Sequence, residues 1–211
     1  MSTCDYIIVG AGSAGCVLAE RLSADGTTKV LVLEAGPRDT NRWIHIPLGY
    51  GKLFTMPEVN WMYESEPEPE LGGRKVFTPR GKVLGGSSSV NAMIYMRGQR
   101  GDYDNWATVT GDPSWGWENV IPLFKRHEDS HRGATPLHGA GGELRVEEQR
   151  LSWQILDEFA RAAEQIGIMP TRDFNTGNNA GSGRFEVTQR TGVRWHARTA
   201  FIKPVRKRPN L

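Results

Sequence analysis

Asp5-Tyr6-Ile7-Ile8-Val9-Gly10-Ala11-Gly12-Ser13-Ala14-Gly15 is a short apolar run that breaks into three spaced glycines. Beyond Gly15, the apolar residues Ala14, Val17, Leu18 and Leu22 recur at i, i+3, i+4 and i+8, one face of a helix over Ser13 to Ser23. Asp25-Gly26 ends it. Lys29-Val30-Leu31-Val32-Leu33-Glu34 is then a second strand, apolar almost throughout. Strands apolar on both sides suit a parallel sheet covered on both faces. The reading is an α/β fold that opens with a βαβ unit.

The glycines have three different duties in such a unit. Gly10 permits the tight turn, Gly12 lets the backbone approach a pyrophosphate, and Gly15 lets helix and strand pack closely. Ser13, Ala14 and Gly15 open the helix, whose free N–H groups and partial positive charge favour an anion. Glu34, followed by Ala35, ends the second strand 19 residues after Gly15. An acid at that place accepts bonds from ribose hydroxyls and repels a 2′-phosphate. The expected ligand is an ADP-containing dinucleotide, with FAD and NAD both open at this point.

Composition narrows the setting. The 38% hydrophobic and 24% charged residues exclude a disordered chain. A mean hydropathy of −0.49 and the lack of any apolar run near ~20 residues predict no membrane span. A strand-like run starts by Asp5, so no signal peptide is expected. Two cysteines, Cys4 and Cys16, make no disulfide framework, so a reduced, cytoplasmic location is expected. Net charge is only +2, yet Val187 to Leu211 holds seven basic residues and no acid. Pro204 and Pro209 break any continuous basic helix there, so this is read as a solvated or protein-facing surface and no nucleic-acid partner is expected.

Further along, residues 36–80 read as an irregular insertion rich in Pro, Gly and aromatics, extended around Pro67 and Pro69. Helices are expected from Glu118 to about Asp129, and from a cap at Ser152 to Gly167. Glu143 to Glu147 alternates as a short strand, and Asp173 to Gly183 is an Asn/Gly-rich loop. A composition shift at Arg132-Gly133 places the domain boundary there: a dinucleotide-binding part over 1–134, and the start of a second domain over 135–211.

A second glycine-rich segment carries a resemblance. Gly81-Lys82-Val83-Leu84-Gly85-Gly86-Ser87-Ser88-Ser89-Val90-Asn91-Ala92-Met93-Ile94-Tyr95-Met96-Arg97-Gly98, closing at Asp104, resembles the first signature of the glucose–methanol–choline (GMC) flavoprotein oxidoreductases. Asn60-Trp61, Ser65-Glu66-Pro67-Glu68-Pro69, Asp102-Tyr103-Asp104-Asn105-Trp106, and Arg198-Thr199-Ala200 through Arg208-Pro209-Asn210-Leu211 look alike too, so the resemblance covers the whole chain. It is closest to the choline-dehydrogenase-like and alcohol-dehydrogenase-like branch.

The resemblance implies FAD as cofactor, in an incomplete Rossmann-like domain followed by the beginning of an α+β substrate domain. It implies that Val83, Gly85, Ser87, Asn91, Ala92, Met93 and Ile94 contact the flavin. It also implies an alcohol as substrate, with hydride passing to the flavin and then electrons to oxygen, a quinone or a dye. Some family members attach FAD through a histidine directly before the asparagine. Here that position is Val90, so non-covalent FAD is expected. The family's catalytic histidines lie beyond Leu211, so His45, His127, His131, His138 and His196 take no catalytic role and the chain reads as an N-terminal portion. The alternative is a binding module or nonfunctional remnant that holds FAD or ADP without turnover. An NAD-dependent dehydrogenase would leave the second segment unexplained.

Three other features invite functional readings. His127-Glu128-Asp129-Ser130-His131 fits the zinc pattern HExxH, but its interior is polar and Gly133 follows at once, so a polar helix end is expected and no metal. Seven tryptophans suggest an aromatic cage for choline, but Trp115 and Trp117 suit a helix start better. Cys16 reads as a small core residue.

Overall fold

The computed structural model describes residues 3–211. They form two compact units: residues 3–93 with Thr191–Leu211, and Ile94–Arg190.

In the first unit, β1 (Tyr6–Val9) and β2 (Val30–Leu33) pair in parallel, Tyr6 opposite Val30 through Val9 opposite Leu33. Helix α1 (Ser13–Leu22) crosses between them, so the βαβ unit stands as the sequence predicts. Ile8, Ala19 and Val30 are buried together, with Leu22, Val32, Ile202 and Leu211 packed around them. The opposite face is bare. Ile7 is 61% and Val9 85% exposed, and Leu31 and Leu33 are exposed as well. The expected covering of both faces is therefore met on one face only, because no helix among the described residues of this unit lies on the other.

The insertion holds two one-turn helices, α2 (Arg42–His45) and α3 (Tyr50–Leu53), and an antiparallel pair, β3 (Tyr63–Glu64) with β4 (Phe77–Thr78). Ile44, Leu53, Val59, Val83 and Val90 form its core.

The C-terminal residues return to this unit. Val30 N–H donates to the Asn210 carbonyl at 2.8 Å, and Asn210 Nδ2 donates to the carbonyls of Ser23 and Thr28. Arg208 Nη1 bonds the Glu20 carbonyl and Ser23 Oγ. The boundary expected at Arg132-Gly133 lies inside the second unit. Composition changes there, but the strands on either side of it pair with each other. Residues 191–211, assigned by sequence to a second domain, pack on α1 and β2 instead. The arginines of the basic run hold the fold: Arg194 is fully buried, Arg198 faces Asp39 at 3.3 Å, and Arg208 grips α1.

The second unit contains α4 (Arg100–Thr110), α5 (Trp117–His127), β5 (Glu128–Ser130) paired in parallel with β6 (Leu144–Val146), and α6 (Gln154–Gln165). Tyr103, Trp117, Val120 and Ile121 form its core, with Phe124 and Leu137 against them. Helix α5 ends two residues earlier than expected, since Glu128 turns extended (φ −80°, ψ 133°) and joins β5. His127 and His131 therefore share no helix face, and His131 Nε2 bonds Glu186 at 2.6 Å. Ser152 does not cap α6, which starts after Trp153; its hydroxyl accepts from Arg184 instead. Ile155, Phe159 and Ile166 of α6 are exposed.

Candidate functional site

The turn after β1 shows a separate physical reason for each glycine. Gly10 has φ +98°, a left-handed conformation that glycine adopts without strain. A Cβ on Gly15 would lie 2.0 Å from the Gly10 carbonyl oxygen, so any side chain would drive helix and strand apart. Gly12 is different. Its backbone is ordinary (φ −77°, ψ −165°), and a Cβ there would meet no atom within 4 Å. Nothing inside the protein requires glycine at 12. It borders open space that a backbone-hugging ligand would fill.

That space is a cleft of about 740 Å³ lined by Val9, Gly10, Gly12, Ser13, Leu33, Glu34, Ala35, Trp61, Tyr63, Arg80, Gly81, Gly86 and Ser87. Six residues expected from sequence thus meet in one place: Gly10, Gly12, Ser13, Glu34, Ala35 and Ser87. Helix α1 opens onto it with no side chain capping its first turn. Its first N–H groups lack intrahelical partners by construction, which leaves a donor array for an anion. The Glu34 carboxylate accepts from Ala11 N–H at 2.8 Å and Gly36 N–H at 2.9 Å. A carboxylate accepts about four bonds, so Glu34 both fixes the glycine turn and retains acceptor capacity toward the cleft.

Sequence reasoning missed the opposite wall. Asn60, 2% exposed, accepts from the N–H groups of Met62 and Arg80 on its Oδ1, and its Nδ2 donates to the Phe54 carbonyl. Trp61 N–H donates to the Arg80 carbonyl at 2.9 Å. Asn60 thereby stitches two distant segments and sets Trp61, Tyr63 and Arg80 on the cleft. The Trp61 and Tyr63 rings stack at 5.7 Å and 6°. The available signal was the spacing Trp61-x-Tyr63, although the two rings meet because the chain turns at Met62, whose φ is +55°.

The two glycine-rich segments meet directly. Gly85 N–H donates to the Ala11 carbonyl at 2.8 Å, and a Cβ on Gly86 would lie 2.7 Å from Gly12 Cα. Gly85 and Gly86 have φ +97° and +57°, and Gly86–Ser89 make one tight helical turn. Ser88 Oγ donates to the Gly85 carbonyl and accepts from Ala197 N–H. Asn91 Oδ1 accepts from Met93 N–H and from Arg194 Nη1. The Val83 and Val90 side chains are buried in the apolar core, so Val83 has only its backbone to offer a ligand. Ala14 and Gly15 lie on α1 outside the cleft lining, as do Gly85, Asn91, Ala92 and Met93. Ile94 belongs to the second unit, where it bridges Val187.

The histidines are spent on structure. His196 Nε2 lies 3.0 Å from Asp39 Oδ2, His45 Nε2 bonds the Asp39 carbonyl, and His138 sits between Glu128 (2.7 Å) and Asp173 (2.8 Å). Cys16 donates to the Ala11 carbonyl, and burial first, then Glu34, pushes its thiol up to about 12.

A βαβ unit with an open glycine turn, an unspent helix N-terminus and an acid at the end of β2 defines a nucleotide-binding fold of the dinucleotide class. The GMC oxidoreductase model matches residues 4–211, and the chain belongs to that family. It is 47% identical over 208 residues to an alcohol dehydrogenase [acceptor] of Pseudomonas putida and 42% identical over 207 to an oxygen-dependent choline dehydrogenase of Rhizobium rhizogenes. Each match covers 98% of this chain and 38% of the relative, so the chain spans well under half the length of these proteins. Pyridoxine 4-oxidase from Mesorbium loti superposes with a TM-score of 0.94 at 36% identity, over 99% of this chain and 41% of that one. An FAD-dependent oxidoreductase from Chaetomium thermophilum superposes with a TM-score of 0.87 at 30% identity, over 99% and 37%. No helix among the described residues is long and apolar enough to cross a membrane.

Proposed function

We propose that this chain is the cofactor-holding part of an FAD-dependent oxidoreductase acting on CH–OH donors. The observation that carries the reading is Gly12: ordinary backbone, no internal neighbour for a Cβ, and a place on the wall of the cleft. The residues fit the cofactor's parts. Gly10, Gly12, Ser13, Ala14 and Gly15 would hold the pyrophosphate, with Arg80 adding positive charge, and Glu34 with Ala35 would hold the ribose. Val83, Gly85, Ser87, Asn91, Ala92, Met93 and Ile94 would meet the flavin, Val83 through its backbone. FAD, when bound, supplies the acceptor for the hydride of the alcohol carbon.

The chain's own part is binding, orientation and exclusion of water. Val90, buried in the apolar core, offers no nucleophile, which supports non-covalent FAD. Four of the five histidines, His45, His131, His138 and His196, are hydrogen-bonded within the fold, and none of them is proposed as the alcohol-side base. That observation favours a second reading, an FAD- or ADP-binding module without turnover. The electron acceptor is proposed to be oxygen, a quinone or a dye, and the location cytoplasmic.

Anaerobic addition of a primary alcohol to the flavin-loaded protein separates the readings. Bleaching of the visible flavin bands supports alcohol oxidation. Bound flavin that stays yellow supports the module.

A further inference from the structure

Arg194 is fully buried, and no carboxylate among the described residues pairs with it. Its Nε donates to the Ile44 carbonyl at 2.7 Å. Its Nη1 donates to the Ser88 carbonyl at 3.2 Å and to Asn91 Oδ1 at 2.9 Å, and its Nη2 is buried without a partner. Burial alone lowers its pKa, to about 10, so it stays protonated at neutral pH. Asp39, an acid of the same unit, is already engaged by His196 and Arg198. Buried charges are ordinarily paired, because leaving water is costly for an isolated ion. A cation retained here against only neutral oxygens has unspent positive potential, in a low-dielectric place where that potential is strong.

Asn91 is exposed, and its Oδ1 takes both the Arg194 and the Met93 donors. Two donors on one side fix which way the amide faces, and its NH₂ then points away from them. Hydrogen bonds in series polarise one another, so an amide whose oxygen is bound by a guanidinium becomes a stronger donor through its nitrogen. Ser88 and Asn91, two of the three residues that Arg194 holds, belong to the segment read above as the flavin contact.

We propose that Arg194, acting through Asn91, is a positioning residue that supplies a fixed positive charge favouring the reduced state of a flavin held by the 83–93 segment. This rests on the FAD reading above. Two electrons and one proton turn the oxidised ring into an anionic reduced ring, and a fixed positive charge close by stabilises the negative charge gained.

The test is the reduction potential of the flavin-loaded protein, titrated with dithionite without oxygen against dyes of known potential, under saturating FAD. Arg194→Met is expected to weaken the preference for reduced flavin at least about tenfold, roughly 30 mV to the negative for a two-electron couple. Arg194→Gln removes the charge but keeps a donor for the buried carbonyls. It gives the same shift if Arg194→Met does not fold. Arg194→Lys keeps the charge and is expected to restore most of the potential, which a purely structural role does not predict. A potential in Arg194→Gln equal to that of the unaltered protein overturns the role of Arg194 and leaves the FAD reading standing. An unaltered protein that takes up no flavin overturns both.

Discussion

The Gly85 N–H donates to the Ala11 carbonyl oxygen at 2.8 Å, and through that bond the two glycine-rich turns of the chain share one cleft wall. The same carbonyl accepts the Cys16 thiol, while Ala11 N–H is held by Glu34. The glycine turn is thus fixed from three sides before any ligand arrives, so binding need not supply the cost of ordering it.

The glycines of the first turn are expected to separate in behaviour. Gly15→Ala places a methyl 2.0 Å from the Gly10 carbonyl and should cost about 1–3 kcal/mol or more of stability. Gly12→Ala should leave stability within about 0.5 kcal/mol, yet weaken FAD binding. Urea melts and flavin fluorescence titrations of both variants check this. Equal destabilisation by the two would contradict the reading of Gly12 as a ligand-facing position.

Asn60 holds the wall that carries Trp61, Tyr63 and Arg80. Asn60→Ala leaves the part-buried Met62 and Arg80 N–H groups and the Phe54 carbonyl without this partner and should cost about 1–3 kcal/mol. FAD affinity should fall with it, measured by the same titration. A variant of unchanged stability would mean that the wall is held by something else.

His138 titrates in the second unit. Both ring nitrogens face carboxylates, which requires both to carry protons. The bond to Glu128 raises its pKa, burial opposes this, and Asp173 adds to the rise. A raised folded pKa gives stability that is complete below the ordinary value of 6.5 and lost as pH climbs through the raised one. For Asp173, burial works upward, but the Asn175 amide and His138 outweigh it and the pKa falls. Its contribution is present above 3.8 and lost as pH drops through the lowered value. The urea midpoint of the protein should therefore decline from pH 6.5 upward, and His138→Gln should flatten that decline. The same slope in both proteins would remove His138 from the account.

The two thiols should differ sharply. Cys4 is exposed, while Cys16 is buried with its pKa at about 12. Iodoacetamide at pH 8 should label one thiol per native chain and two in denaturant, counted by mass. Two labels on the native chain would show that the α1 interior opens.

The βαβ unit, the glycine turn and Glu34 were legible in sequence because their signals are local: a strand period, a helix period and glycines at fixed spacing. The far wall was not. Trp61 and Arg80 are brought together by Asn60, a contact between distant segments that no local period encodes. The compact units divide at Met93/Ile94 and Arg190/Thr191 and not near Gly133, for a related reason. The composition changes near Gly133, but pairing of Glu128–Ser130 with Leu144–Val146 closes over that point. The basic C-terminal run looked like a surface by charge count, whereas Arg194 is fully buried.

The most direct measurement is equilibrium FAD binding to the unaltered protein and to Gly12→Val. One FAD per chain is predicted for the first, with flavin released intact by acid, as expected of a cofactor to which Val90 offers no nucleophilic atom. A well-folded Gly12→Val protein with little or no flavin is predicted for the second. A Gly12→Val protein that holds FAD as tightly as the unaltered one would contradict the cleft as the cofactor site.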